Sequence, residues 1–239
     1  MNQYGRQKLL VIKPGQTRYQ DAWELQKKLV ALRYQEKIPD SLILTEHKPV
    51  ITMGRGTSKK NLLVSSEELR KRHIDLYEIE RGGDITFHGP GQAVIYPIIN
   101  LESRGRDLHK YLRSMEHLII AIFHELGLEA DTKPGMTGVW VDNKKVAAIG
   151  VAVSKWVAYH GAALNISPQL EYFDLIIPCG ITQYAVGSLK SILGKDIDME
   201  RIYKIIAEKY CQMFEYEIEP VVDLQVFLTK LEVAKYSKD

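Results

Sequence analysis

The chain is poor in cysteine, with two residues, Cys179 and Cys211, among 239. A secreted scaffold held by disulfides uses more, so this pair implies a reducing, intracellular setting. No stretch approaches the ~18 consecutive apolar residues of a membrane-spanning helix. The opening MNQYGRQKLLVIK holds too short an apolar run for a signal peptide. Net charge is scarce as well. Lys plus Arg total 32 against 30 Asp plus Glu, which leaves +2. That argues against a general nucleic-acid binder and leaves room for a local basic patch. A cytoplasmic protein that engages neither membrane nor nucleic acid is expected.

Signature motifs are missing too. There is no G-x-x-x-x-G-K-[ST] loop for a nucleotide, and no G-x-G-x-x-G opens a helix. Neither C-x-x-C nor H-x-x-x-H spacing occurs, so no metal site is expected. What is present is an ordinary globular composition, 45% hydrophobic and 26% charged. One domain over residues 1–239 is expected, with a possible small C-terminal subdomain from about residue 190.

Periodicity supplies the elements. QKLLVIK (7–13) reads as a buried strand before Pro14-Gly15, and 19–34 keeps helical spacing. SLILTEH (41–47) and VITMGR (50–55) read as strands, SSEELRKRH (65–73) as a solvated helix, and IDLYEIE (74–80) as a strand. AVIYPIINL (93–101) is a strand whose Pro97 points to an edge or a bulge. A helix over 107–126 has Asp107 to cap its start and Gly127 its end. GVWV (138–141), KVAAIGVAV (145–153) and WVAYHGAALNI (156–166) form a meander. Residues 173–177 end an apolar strand before Pro178, a helix covers 199–214, and EIEPVVDLQVFLTKLE makes a strand and a terminal helix. Helices interrupt runs of neighbouring strands, so the expected class is α+β with a mixed, largely antiparallel sheet flanked by helices.

Residues 81–92 read RGGDITFHGPGQ, with four glycines beside an arginine and a histidine. Either the backbone must approach something closely, or this is only a loop. A strand follows it, not a helix, so no helix dipole favours phosphate there. What remains is a connecting loop whose backbone, with Arg81, Thr86 and His88, can line an acyl or carbonyl site. The small-residue stretches AAIG (147–150) and YHGAALN (159–165) suit either an elongated ligand lying close or tight layer packing.

Cys179 stands in IIPCGIT, punctuated by Pro178 and Gly180, where a side chain can be offered to a cleft; a buried structural cysteine is the plainer reading. Cys211 lies on the last amphipathic helix, roughly opposite Ile202, Ile206 and Met213, and suits a structural or surface role. A cysteine nucleophile acts as thiolate and needs a neighbouring cation or base. His88, His160, Lys144 and Lys145 are the candidates. Strict alternation sends the two lysines to opposite faces, with Lys145 beside Ala147 and Ile149.

RGGDITFHGPGQ followed by AVIYPI resembles the signature of the lipoyl(octanoyl) transferases, the lipoate-protein ligase B family. The resemblance continues in TEHKPVITMGR (45–55), KVAAIGV (145–151), HGAALNI (160–166) and IPCGI (177–181), and spans residues 7 to 195. ATP-dependent lipoate ligases carry a GGG run and a His-Asp where this chain has GPGQ. The resemblance implies the biotin/lipoate ligase catalytic-domain fold. It also implies transfer of octanoyl from acyl carrier protein to a lysine of lipoyl domains, without ATP or another cofactor. The acceptors would be lipoyl domains of 2-oxo acid dehydrogenase complexes and the glycine cleavage H protein. It gives Cys179 the role of thioester nucleophile and Lys145 that of proton carrier. It assigns acyl binding to Arg81, Gly82, Gly83, Asp84, Ile85, Thr86, Phe87 and His88, to Ala148, Ile149 and Gly150, and to Gly161, Ala162 and Ala163. One departure is Gly187, where the family carries a threonine before Ser-Leu. An ATP-dependent ligase, an amidotransferase between lipoyl domains and a non-catalytic acyl-binding module are the alternatives. Acidic partners would call for a local positive surface at Lys59, Lys60 and Arg70 to Arg72.

Overall fold

A computed structural model describes residues 7–221 and 223–229. β1 (Gln7–Thr17) leads into α1 (Tyr19–Tyr34), followed by β2 (Asp40–His47) and β3 (Val50–Met53). α2 (Ser66–Lys71), β4 (Asp75–Glu78), β5 (Ile85–His88) and β6 (Gln92–Asn100) precede the long α3 (Leu108–Glu125). β7 (Asp131–Lys133), β8 (Met136–Val141), β9 (Lys144–Ser154) and β10 (Val157–Asn165) form the meander. α4 (Leu189–Leu193), α5 (Met199–Phe214) and β11 (Tyr216–Val221) come last. A helical turn occupies 224–229, and the rest of the expected terminal helix lies outside the described residues.

Local chemistry explains the element ends. The Asp107 side chain accepts the Lys110 N–H at the start of α3, and Gly127 follows its end with φ 79. Asp142 and Asn143 both take positive φ (47 and 61) in the two-residue turn between β8 and β9, as the right-handed strand twist favours.

Eight strands form one sheet in the order β11-β1-β2-β6-β10-β9-β8-β7. β11–β1 and β1–β2 run parallel, and the other five pairings are antiparallel. The class is therefore the expected one. A second, three-stranded sheet in the order β4-β3-β5 was not expected. β3 and β4 are legible as strands, but Ile85–His88, expected within a connecting loop, is a strand too, paired antiparallel with β3 from Val50↔His88 to Met53↔Ile85; four residues each say nothing about which sheet they join.

The large sheet is covered on both faces by alternating side chains. Leu42, Leu44, Ile95 and Leu164 pack with Met115, Ile119 and Ile122 of α3 and Ile202 and Ile206 of α5. Ile43, Val94, Ile98 and Val157 face Ala22, Leu29 and Leu32 of α1. Residues 199–221 thus add a helix to this core and a strand to this sheet. The small sheet has a core of its own, in which Ile51, Ile85 and Phe87 meet Phe173, Leu175 and Ile176.

Two local expectations fail. Pro97 is on neither an edge nor a bulge: β6 lies between β2 and β10, and Pro97 is paired opposite Leu42. The missing N–H is accommodated where the β6–β10 pairing is interrupted between Ala158↔Ile99 and Ala162↔Ile95. There His160 turns to φ 55 and gives its backbone N–H to Gln26 Oε1 of α1 at 2.8 Å. Second, Leu170–Leu175 forms 3-10 turns and not a strand. Pairing there shrinks to a single bridge, Leu62↔Ile176.

Candidate active site

A cavity of ≈ 230 Å³ lies between β9 and β10 of the large sheet and the loop that leads into β5. Arg81, Gly83, Asp84, Thr86 and His88 line one wall; Ala148, Ile149, Gly150, Gly161, Ala162 and Ala163 line the other. Cys179 and Lys145 both line it, and both also line a smaller adjoining void of ≈ 20 Å³. Three residues expected on the wall do not line it. Ile85 and Phe87 alternate away into the small sheet's core at 0% and 1% exposure. Gly82 instead ties the two sheets together, donating its N–H to Val151 O at 2.9 Å.

Cys179 sits between Pro178 and Gly180 with φ 57 and ψ 19, a left-handed conformation that costs a side-chain-bearing residue strain. The loop is held from both sides. Ile177 donates to Asn61 O at 2.7 Å, and Gly180 packs so closely under Asp84 that a Cβ would lie 2.8 Å from its Oδ2. Asp84 accepts from the Asn61 side chain and from the Ile85 N–H. Its carboxylate therefore fixes the cysteine loop as well as lining the cavity.

Arg81 accounts for two glycines outside the 81–92 segment, Gly54 and Gly150. Its guanidinium is buried and donates to Thr52 O (2.8 Å), Thr52 Oγ1 (2.9 Å) and Gly82 O (3.1 Å). A Cβ on Gly54 would lie 2.8 Å from Arg81 Nη1, and one on Gly150 would lie 2.9 Å from Gly82 O and 3.1 Å from Arg81 Cδ. Those glycines make room for the chain of an internal cation.

Lys145 reaches the cavity by a break in the alternation. Between β8 and β9 the register runs Val139↔Ala147 and then Trp140↔Lys145, so Val146 is an extra residue. Strict alternation would put Lys145 beside Ala147 and Ile149, which pack in the α3-facing core. The bulge re-aims it to the cavity lined by Ala148 and Gly150. The side chain is buried, with Nζ 5.2 Å from the Trp140 ring centre, while its neighbour Lys144 is exposed as expected. Lys145 N–H donates to Ala185 O (2.8 Å) and Gly187 N–H to Lys145 O (2.9 Å). At Gly187 a Cβ would fall 2.7 Å from Lys144 Cβ. This chain's backbone therefore runs closer to β9 than a threonine would allow.

Three buried histidines, His47, His88 and His160, are held toward the neutral ring. Burial lowers the His47 pKa to about 4, and burial with the nearby His47 and Arg81 takes His88 well below its usual value. Burial lowers His160 too, its Nε2 standing 3.8 Å from Glu80 Oε2. Gln92 Nε2 donates to Phe87 O (3.2 Å) and Asn165 Oδ1 (2.9 Å), which leaves its Oε1 to accept from His88 Nδ1–H at 3.2 Å. These imidazoles supply no cation beside Cys179. Arg81 and Lys145 are the basic side chains that line the cavity. Among the described residues, no three His, Cys, Asp or Glu side chains converge as metal ligands.

A family model described as the lipoyl protein ligase A/B catalytic domain matches residues 18–211. The chain belongs to that family. The octanoyltransferase of Desulforamulus reducens is 41% identical over 217 residues, 90% of this chain and 95% of its own length. That of Rubrobacter xylanophilus is 46% identical over 199 residues, covering 82% and 89%. The bi-partite lipoate protein ligase of Thermoplasma acidophilum superposes with a TM-score of 0.71 at 14% identity, over 99% of this chain and 94% of its own. The biotin protein ligase of Aquifex aeolicus in complex with biotin and ATP does so at 0.53 and 13% identity, over 87% and 70%. The fold is thus the biotin/lipoate ligase catalytic fold, and this lipoyl protein ligase A/B family member is an acyltransferase. No helix among the described residues is long and apolar enough to cross a membrane.

Tyr19 and Tyr96 line the cavity without having been singled out in the sequence. Tyr19 opens α1 and Tyr96 belongs to the apolar run of β6, so each reads as core. His47, 0% exposed and 2.7 Å from Tyr96 Oη, was equally silent. A histidine inside SLILTEH was the one available signal.

Proposed function

We propose that the protein transfers an octanoyl group from octanoyl-acyl carrier protein to a lysine of lipoyl domains through a thioester on Cys179, and does so in the cytoplasm. The observation that carries this reading is the convergence of Cys179 and Lys145 on one cavity from separate elements. In the first step Lys145 takes the Cys179 proton, and Sγ attacks the donor's thioester carbonyl. The donor thiolate leaves with the proton that Lys145 held, and the acyl group stays on Cys179. In the second step the acceptor's neutral amine attacks that thioester, giving up a proton through Lys145. An amide forms and the thiol is restored. The donor bond is already activated, so no nucleotide is consumed.

Small side chains at Ala148, Gly150, Ala162 and Ala163 leave room for a straight chain. Each methylene moved out of water contributes about 0.8 kcal/mol, so an eight-carbon chain gains several kcal/mol on entering. The acceptors would be lipoyl domains of 2-oxo acid dehydrogenase complexes and the glycine cleavage H protein.

Intact-mass spectrometry after incubation with octanoyl carrier protein tests the reading. One octanoyl adduct is expected on the wild type, none on Cys179→Ala, and loss of the adduct when a lipoyl domain is added without ATP. Full transfer by Cys179→Ala, or transfer only with ATP, would overturn it.

A further inference from the structure

Glu116 is a carboxylate in the wrong place for a surface helix. It lies on α3, 1% exposed, pointing at the sheet. One oxygen meets Arg113 at 2.5 Å, and the other accepts the Gly138 N–H at 3.1 Å. Gly138 is the residue over which the Lys145 side chain passes. A Cβ there would lie 2.6 Å from Lys145 Cε and 3.2 Å from Nζ. Its φ of 141 is a conformation other residues avoid. Gly138 also adjoins the bulge that turns Lys145 toward the cavity. A buried charge is expensive unless its bonds are used. Here one bond secures the backbone beneath the lysine.

We infer that Glu116 is a positioning residue for Lys145: it anchors the Gly138 backbone at the β8–β9 bulge and so holds the Lys145 amine at Cys179. The inference rests on the reading of Lys145 as proton carrier. Without the anchor, the Gly138 N–H seeks another partner, the bulge relaxes and the amine drifts from the sulfur. Misplacement of about 1 Å is enough to cost a large rate factor.

The test combines transfer kinetics with the pH dependence of Cys179 alkylation by iodoacetamide, which follows the thiolate. Glu116→Ala should lower kcat by roughly ten- to a hundredfold with donor KM unchanged, and raise the alkylation midpoint. Glu116→Gln keeps an acceptor oxygen and should behave nearly as wild type. Gly138→Ala leaves Glu116 intact but obstructs the Lys145 path, and should reproduce the Glu116→Ala profile; it carries the test if Glu116→Ala does not fold. Lys145→Ala combined with Glu116→Ala should be no worse than Lys145→Ala alone. Wild-type kinetics and midpoint in Glu116→Ala, equal impairment of Glu116→Gln, or additive losses in the double variant would each overturn the inference. Wild-type behaviour of Lys145→Ala would instead overturn the proton-carrier reading itself.

Discussion

Cys179 and Lys145 meet at one cavity although the first is carried by a loop pinned to Asn61 and Asp84 and the second by a strand of the large sheet. Neither side chain arrives by default geometry. Cys179 is held in a left-handed backbone conformation, and Lys145 is redirected by a bulge. Such local departures concentrate where position matters more than stability.

The proton transfer proposed for Lys145 asks for a lysine. Lys145→Arg keeps the charge but cannot release a proton near neutrality, so transfer should fall by about 10²-fold or more. Single-turnover acylation of Cys179 measures it, and an arginine variant as fast as wild type would exclude proton transfer by this residue.

Strain at Cys179 should appear as stability. Cys179→Gly relieves the left-handed conformation, whereas Cys179→Ala retains a Cβ at φ 57. The glycine variant should be the more stable of the two by about 1 kcal/mol. Urea unfolding of both decides, and equal midpoints would mean the loop carries no strain.

Gly150→Ala places a methyl 2.9 Å from Gly82 O and 3.1 Å from Arg81 Cδ. Backbone cannot swing aside as a side chain can, so a destabilisation of about 1–3 kcal/mol is expected, together with weaker acyl binding. Thermal melting and donor KM report the two effects separately.

Acid should loosen the fold through His47. Its pKa of about 4 lies below the ordinary 6.5, so the folded state prefers the neutral ring. The associated stability is complete above pH 6.5 and is lost as pH falls toward 4, about 3 kcal/mol in all. His88 and His160 act in the same direction. His47→Gln should flatten the stability profile between pH 7 and pH 4.5 in urea titrations; an unchanged slope would refute the assignment.

The expected basic surface is partly neutralised. Lys71 pairs with Glu67 at 3.0 Å and Arg72 with Glu68 at 2.6 Å. Lys59 and Lys60 are exposed beside Asn61, whose carbonyl holds the cysteine loop. Charge reversal at Lys59 and Lys60 should raise the donor's KM more than reversal at Arg72, with a steeper salt dependence lost only in the former.

Much of this was legible in the sequence because local rules and tertiary structure agree. Helical spacing over 19–34 and 199–214, and the cap at Asp107, needed no partner to be read. Cys179 and Lys145 stood out for their surroundings of Pro, Gly and small residues. What stayed hidden depends on pairing. The fate of Pro97 is set by β10, the face of Lys145 by a register shift with β8, and the burial of Tyr19 and His47 by elements distant in sequence. Phe173 to Ile177 looked like a strand because its apolar residues are buried, yet 3-10 turns bury them as well.

The tie from Gly82 to Val151 joins two sheets whose cores are otherwise separate, with the cavity beside that junction. A hydrocarbon seated there would touch side chains from both and fill the space between them. The cargo would then be a temporary part of the protein's own interior, and the acylated form should melt later than the empty one. Discharge to an acceptor would remove that filling, so each turnover would return the molecule to its looser state.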